Sequence, residues 1–245
     1  MTYKKNSVTV GFPHRAQAFG GPGSFQIRLI SELKTHGFEI VYPNSKTRPT
    51  VILIVGGTVR LDWLLWCRAR GSRIVHRLDG INWRHRVLDC SLRYKLRSET
   101  RNGLIRVARN YLADEIIYQS YFVKNWWETS YGRPNVNTAV IYNSVDIGDF
   151  RPKTSCTHGA PLLICAEARL IDDHISQETI KHVAKSLYGE GIIKGIRIVG
   201  ELGESDRSAL SGIPGVEVLG SVPRESMPAI LREADIFLNL DVNAA

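Results

Sequence analysis

The sequence predicts an α/β chain of two doubly wound parallel-sheet domains, and three observations carry that prediction. Short apolar runs alternate with helical periodicity along most of the 245 residues, the pattern of strands joined by crossover helices. Val51–Val55, VILIV, is apolar without interruption, as expected of a parallel strand covered on both faces. The alternation breaks at the polar run Lys153–Gly159, KTSCTHG, and then starts again. This gives one Rossmann-like domain over residues 1–152 and a second over residues 153–245.

Val8–Phe12 is the first predicted strand. Gly20-Gly21-Pro22-Gly23-Ser24 follows and opens a helix with Phe25, Leu29, Ile30 and Leu33 along one side. Free N–H groups and the positive dipole end make such a turn a candidate anion site. Gly37 ends the helix and Phe38–Tyr42 is the second strand. After Val51–Val55, Thr58 is placed to cap a helix that turns Leu61, Leu64 and Leu65 inward, and Gly71 closes it. Arg73–Arg77 is the next strand, with His76 a structural histidine inside it. Asp79 follows at its carboxyl end, where ligands bind in this class of sheet. Asp79-Gly80 is also an ordinary turn pair.

Trp83–Arg109 holds Arg84, Arg86, Arg93, Lys95, Arg97, Arg101, Arg106 and Arg109 against Asp89 and Glu99. Val87, Leu88, Leu92 and Leu96, then Leu104, Ile105 and Ala108, run between them at near-helical spacing. A basic amphipathic helix with Trp and Tyr nearby suits an anionic membrane surface. A nucleic-acid stripe would need stacking aromatics on one surface, so nucleic acid is not the expected partner. Glu115–Tyr118 is a strand, and Ser120 caps a helix with Val123, Trp126, Trp127 and Ser130 on one face. Gly132 and Pro134 stop it. Thr138–Tyr142 is a strand, and in Asn143-Ser144-Val145-Asp146 the Asn and Asp side chains can bond their own backbone.

Beyond the break, Leu162–Ala166 is a strand, and Ser176 caps a helix carrying Ile180, Val183, Ala184 and Leu187. Gly195–Val199 is followed by Gly200, and Val216–Leu219 by Gly220. Met227, Ile230 and Leu231 face inward from another helix, and Asp235–Leu240 is the last strand.

Hydrophobic residues make up 43% and charged residues 23% of the chain, ordinary for a globular protein. No apolar run approaches the roughly 20 residues that span a bilayer, and no secretory signal is legible at the N-terminus. Cys67, Cys90, Cys156 and Cys165 lack metal-ligand spacing and read as free thiols of a reducing, cytoplasmic compartment. Asp172-Asp173-His174 is no metal site, because adjacent Asp side chains do not readily converge on one ion, and no metal cofactor is expected. Residues 1–152 carry 23 Lys and Arg against 11 Asp and Glu, and the remainder 9 against 13. A basic first half implies an anionic partner: a membrane surface, a phosphorylated acceptor or a nucleic acid.

Glu115–Pro152, with its strand, Ser120, helix, strand, Asn143-Ser144-Val145-Asp146 and Phe150-Arg151-Pro152, resembles the end of the N-terminal domain in GT-B retaining glycosyltransferases of family 4. Ser144 stands where that family has Gly. The resemblance implies transfer of a sugar from a nucleotide-diphosphate donor to a lipid-linked or polysaccharide acceptor, catalysed by positioning and by stabilising the departing diphosphate. It implies that Gly21 and Gly23 let the backbone approach the donor phosphate and that Asp79 faces the donor sugar. It sets Glu167-Ala168-Arg169-Leu170 at the family's Gly-Arg-Leu, with Arg169 on the diphosphate, His174 nearest the usual Lys, and Gly200 and Val222 in the turns around the nucleobase. The family's paired Glu motif would follow Ala245. The second domain is therefore expected to be incomplete, with Ile236-Phe237-Leu238 uncovered and the chain alone a poor catalyst. The alternative expectation is an inactive module that binds a nucleotide sugar or a membrane surface. The expected location is cytoplasmic, peripheral on the inner face of the membrane.

Overall fold

The computed structural model describes residues 8–16, 21–87, 89–154, 159–169 and 174–240, with the side chains of 167–169 and 174–176 outside that description. Expectations that touch Gly20, Leu88, Cys156, Leu170, Asp172 and Asp173, or the side chains of Arg169, His174 and Ser176, therefore lie outside the described residues. The chain forms two compact units, which divide after Asn143. The run from Ser144 to Lys153, read from sequence as leading out of the first domain, groups with the second unit. There Arg232 donates to the carbonyls of Asp149 and Arg151, and Lys153 Nζ lies 2.6 Å from Asp235 Oδ1.

In the first unit, β1 (Thr9–Gly11), α1 (Gly21–Thr35), β2 (Glu39–Val41), β3 (Val51–Val55), α2 (Leu61–Ala69) and β4 (Arg73–Leu78) come first. Next are α3 (Arg84–Val87), α4 (Leu92–Val107) with a π-helical turn Ala108–Leu112, β5 (Glu115–Tyr118), α5 (Tyr121–Tyr131) and β6 (Asn137–Val140). The strands form one sheet in the order β2-β1-β3-β4-β5-β6, every pair parallel. The chain steps from β1 outward to β2 and then back across to β3. The carboxyl ends of β1 and β3 therefore flank a topological switch point, where an open α/β sheet leaves a crevice.

Two apolar clusters lie side by side on one face of this sheet. Ile52, Ile54 and Ile74 pack with Trp63, Leu64, Cys67 and Leu112. Leu78, Ile116 and Tyr118 pack with Val123, Trp127 and Ile105. The Ser120 hydroxyl accepts from the Val123 N–H at 3.1 Å and Gly132 ends α5, as the sequence predicts. Three readings are corrected. Thr58 does not cap α2: Arg60 holds the N-cap position, and the Thr58 hydroxyl accepts the Arg60 N–H just outside the helix. Leu65 is exposed, because Trp63, Leu64 and Cys67 supply the inward face of that short helix. Asn143 turns its Oδ1 to the Arg77 guanidinium at 2.7 Å, away from its own backbone, while Asp146 Oδ1 does accept the Gly148 N–H.

The second unit contains β7 (Leu162–Arg169), α6 (His174–Val183), β8 (Gly195–Glu201), α7 (Glu204–Ser211), β9 (Val216–Gly220), α8 (Met227–Glu233) and β10 (Ile236–Phe237). Its sheet runs β10-β7-β8-β9, again parallel throughout. Leu163, Cys165, Ile180, Ile196, Ile198 and Leu210 form its core, with Leu238 and Leu240 packed against it. Ile236 and Phe237 are exposed on the edge strand β10.

Candidate functional site

The switch point of the first unit opens a cleft of about 600 Å³. Its wall is made by Pro13 and His14 after β1, Gly23 and Gln26 of α1, Gly56–Thr58 after β3, and Asp79, Gly80 and Asn82 after β4, with Arg101 of α4. Parallel strands point their carboxyl ends the same way, which is why the segments after β1, β3 and β4, so far apart in sequence, meet here.

Asp79 is held from several directions. The buried guanidinium of Arg77 pairs with its Oδ1 and also donates to Gln119 Oε1 at 3.1 Å and to Asn143 Oδ1. That guanidinium lies 3.9 Å from the centre of the Phe25 ring, so α1 closes over it. The Asp79 carbonyl accepts the Trp127 indole N–H at 2.7 Å. Burial pushes the Asp79 carboxyl above the ordinary carboxylate range, and the Arg77 charge opposes that shift. Gly56 makes room for it: at φ +67° an added Cβ would sit 2.7 Å from Asp79 Oδ2, so only glycine combines this backbone conformation with that approach.

Beside Asp79, His76 is fully buried and its Nε2–H donates to the Gly56 carbonyl at 2.7 Å. Its pKa falls to about 4, through burial first and the Arg109 cation as a further cause, so the ring is neutral and structural. Across the cleft, His14 Nε2 lies 2.8 Å from Thr58 Oγ1, and Gln26 donates to the His14 carbonyl at 2.8 Å. Desolvation and the Arg60 charge lower the pKa of His14. A neutral imidazole, a carboxylate and the amino end of α1 thus face one space. That set can hydrogen-bond a polyhydroxylated ligand and accept an anionic group near α1.

Of the residues singled out in the sequence, Asp79 and Gly23 line this cleft, whereas Gly21 lies at the first position of α1 and does not. Arg169 ends β7 and pairs in register with Glu201, beside Gly200 in β8, and Val222 follows β9. All three therefore sit at the carboxyl edge of the second sheet. The chain crosses from β9 back over the sheet to β10, so β7 borders the switch point there. The sequence reading missed His14, Gln26, Thr58 and Asn82. Gly56-Gly57 directly after VILIV was the available signal, since paired glycines at a strand's carboxyl end mark close backbone approach.

The expected basic face of Trp83–Arg109 is also revised. Arg109 is buried, donating to the Gly132 carbonyl at 2.6 Å and to Asn110 Oδ1 at 2.7 Å. The inward face of α4 is Ser98, Asn102 and Ile105. Val87, Leu92 and Leu96 are instead 70%, 82% and 68% exposed, among the exposed Arg93 and Arg97. Among the described residues, no helix is long and apolar enough to cross a membrane.

No family model matches the chain, and no curated protein matches it. Solved structures do. Sucrose-phosphate synthase from Thermosynechococcus elongatus superposes with a TM-score of 0.70 at 11% identity, over 94% of this chain and 73% of that one. HepE from Anabaena, solved in complex with UDP, gives 0.60 at 14% identity, over 94% and 73%. UDP-GlcNAc 2-epimerase from Neisseria meningitidis, bound to UDP-GlcNAc, gives 0.52 at 14% identity, over 96% and 78%. At such identities the likeness defines the fold, which is GT-B: two Rossmann-like parallel α/β sheets with interleaved helices.

Proposed function

We propose that this chain is a retaining glycosyltransferase of family 4 that moves a sugar from a nucleotide-diphosphate donor to a lipid-linked or polysaccharide acceptor. The observation that carries the reading is the constellation at the first switch point: Asp79, partly buried and fixed by Arg77 and Trp127, shares one cleft with His14 and Gly23. The structural neighbours solved with UDP or UDP-GlcNAc support a nucleotide sugar as donor. In this reading Asp79 accepts a hydrogen bond from a sugar hydroxyl. The N–H groups at the start of α1 face developing negative charge on the leaving diphosphate, where fixed donors act without reorganising. Arg169, at the end of β7, meets the phosphates with its planar fork of donors, and His174 adds a weaker contact. Gly200 and Val222 border the base. No resident metal is required for these roles.

The exposed Val87, Leu92 and Leu96 among Arg93 and Arg97 support a cytoplasmic protein lying peripherally on an anionic membrane face, as a basic amphipathic surface does.

The experiment is thermal unfolding with and without uridine diphosphate, because a ligand that binds only the folded state raises Tm by mass action. UDP is expected to raise Tm, and Arg169→Ala to remove most of that rise while leaving the unliganded Tm near wild type. Absence of stabilisation by UDP and by other nucleoside diphosphates overturns the reading.

A further inference from the structure

A second, smaller pocket of about 260 Å³ lies behind the wall of the main cleft and shares Gly80 and Asn82 with it. Its other sides are Trp83 and Arg84 at the start of α3, Tyr94 of α4 and Trp126 of α5. We infer that this pocket is a saccharide subsite: it holds a pyranose ring of the acceptor one residue away from the reacting sugar. The inference rests on the glycosyltransferase reading and narrows its acceptor to a glycan of two or more sugars.

The chemistry of the walls selects the occupant. Aromatic rings carry a negative face, and the axial C–H bonds of a pyranose present weakly positive hydrogens to it. Three such rings bound a volume of single-ring size. The Arg84 guanidinium adds planar N–H donors and Asn82 an amide, which suits ring hydroxyls and would be wasted on an alkyl chain. The shared wall gives continuity, since a glycan passing over Gly80 reaches from Asp79 to Trp126 without leaving the surface.

The pocket is also built before any ligand arrives. Asn102, buried in α4, accepts from the Asn82 backbone N–H at 3.1 Å and its side-chain N–H at 2.9 Å, and donates back to the Asn82 carbonyl at 2.8 Å. One turn earlier in α4, Glu99 takes His85 Nε2 at 2.7 Å and the Arg86 fork at 2.7 and 3.0 Å, and Arg86 reaches the Tyr131 hydroxyl at 3.1 Å. These bonds fix α3 against α4 and α5. Phe122 packs against Trp126 with ring centres 5.7 Å apart, which holds the indole in place. Such pre-organisation lowers the entropy lost on binding.

The test is retention of the full chain on an array of immobilised mono-, di- and tetrasaccharides, beside the UDP melting shift. Wild type is expected to retain a subset of the di- and tetrasaccharides and no monosaccharide. Tyr94→Ala and Arg84→Ala, each removing one wall of the pocket, should each lower retention about tenfold or more, as truncating an anchor in a binding patch does. Their unliganded Tm and UDP shift should stay at wild-type values. No retention, retention equal for monosaccharides, or retention unchanged in both variants overturns the subsite. Binding of a polyprenyl phosphate in micelles that depends on Tyr94, with no glycan retained, assigns the pocket to a lipid and also overturns it. Glycan retention without any UDP shift would leave the subsite standing and remove the glycosyl-transfer reading. The reverse result would do the opposite.

Discussion

The indole N–H of Trp127 donates to the backbone carbonyl of Asp79 across 2.7 Å, so a residue of α5 sets the height of the turn that ends β4. Trp127 is fully buried, so its indole N–H has this carbonyl as its partner inside the core. Trp127→Phe keeps most of the packing and removes the donor. A loss of about 1–3 kcal/mol in unfolding free energy is expected, the cost of an unsatisfied buried polar group. Urea denaturation checks it. A loss below about 0.5 kcal/mol would mean that the carbonyl finds another partner.

Arg77 joins Asp79, Gln119 and Asn143 through one planar group. Arg77→Lys supplies charge but cannot fork to three acceptors, so it should destabilise clearly despite being conservative. Arg77→Ala strands a partly buried carboxylate and is expected to cost about 2–4 kcal/mol, below the full cost of breaking a fully buried pair. Adding Asp79→Asn to Arg77→Ala should recover part of that loss. A double variant no better than the single one would contradict the buried pairing.

His76 makes stability pH-dependent in a defined window. Its folded pKa is about 4, against 6.5 when unfolded. The folded state therefore binds the proton less readily than the unfolded chain. The stability from this group is complete above pH 6.5 and is lost as pH falls from 6.5 towards 4. The loss is on the order of 3 kcal/mol at the lower end. Glu99, held down to about 2 by Arg86 and His85, adds a separate loss below about pH 4.5. His76→Gln keeps a donor for the Gly56 carbonyl and should flatten the upper window while leaving the lower one. Chemical denaturation at half-unit pH steps separates them.

The surface of α3 and α4 gives a fourth test. Wild type should sediment with vesicles containing phosphatidylserine at low salt and release as ionic strength rises, because screening shortens the reach of surface charge. Replacing Arg93 and Arg97 with Glu should abolish sedimentation, and Leu92→Ser with Leu96→Ser should weaken it at low salt without changing its salt dependence. Equal binding to neutral vesicles would rule out the electrostatic contact.

Long-period signals were legible in the sequence and short-range geometry was not. VILIV reads as a covered strand because both of its faces are apolar, and β3 is a central strand of its sheet. Ser120 reads as a cap because its helix has a clear apolar stripe, and the bond to the Val123 N–H forms. Thr58 was misread because a hydroxyl before a helix has two uses, and here it meets His14 and the Arg60 N–H. On α2 both Leu64 and Leu65 fit an apolar stripe, and only packing against Ile52 and Ile74 decides that Leu64 goes in. Asp79 was legible by its place after a strand. His14 and Gln26 were not, because what brings them to Asp79 is the crossing from β2 back to β3. Arg109 looked like one more surface cation until Tyr118, Gly132 and Trp127 closed around it.

Each sheet is drawn from an unbroken stretch of chain, residues 9–140 for one and 162–237 for the other. Among the described residues, no strand is exchanged between them. On the ribosome the first sheet therefore has all its strands before the second has begun, and domains that emerge in this way fold as units in order of synthesis. Production of the two stretches as separate polypeptides, cut between β6 and β7, then becomes feasible, and each can be labelled, titrated with its own ligand and mixed again.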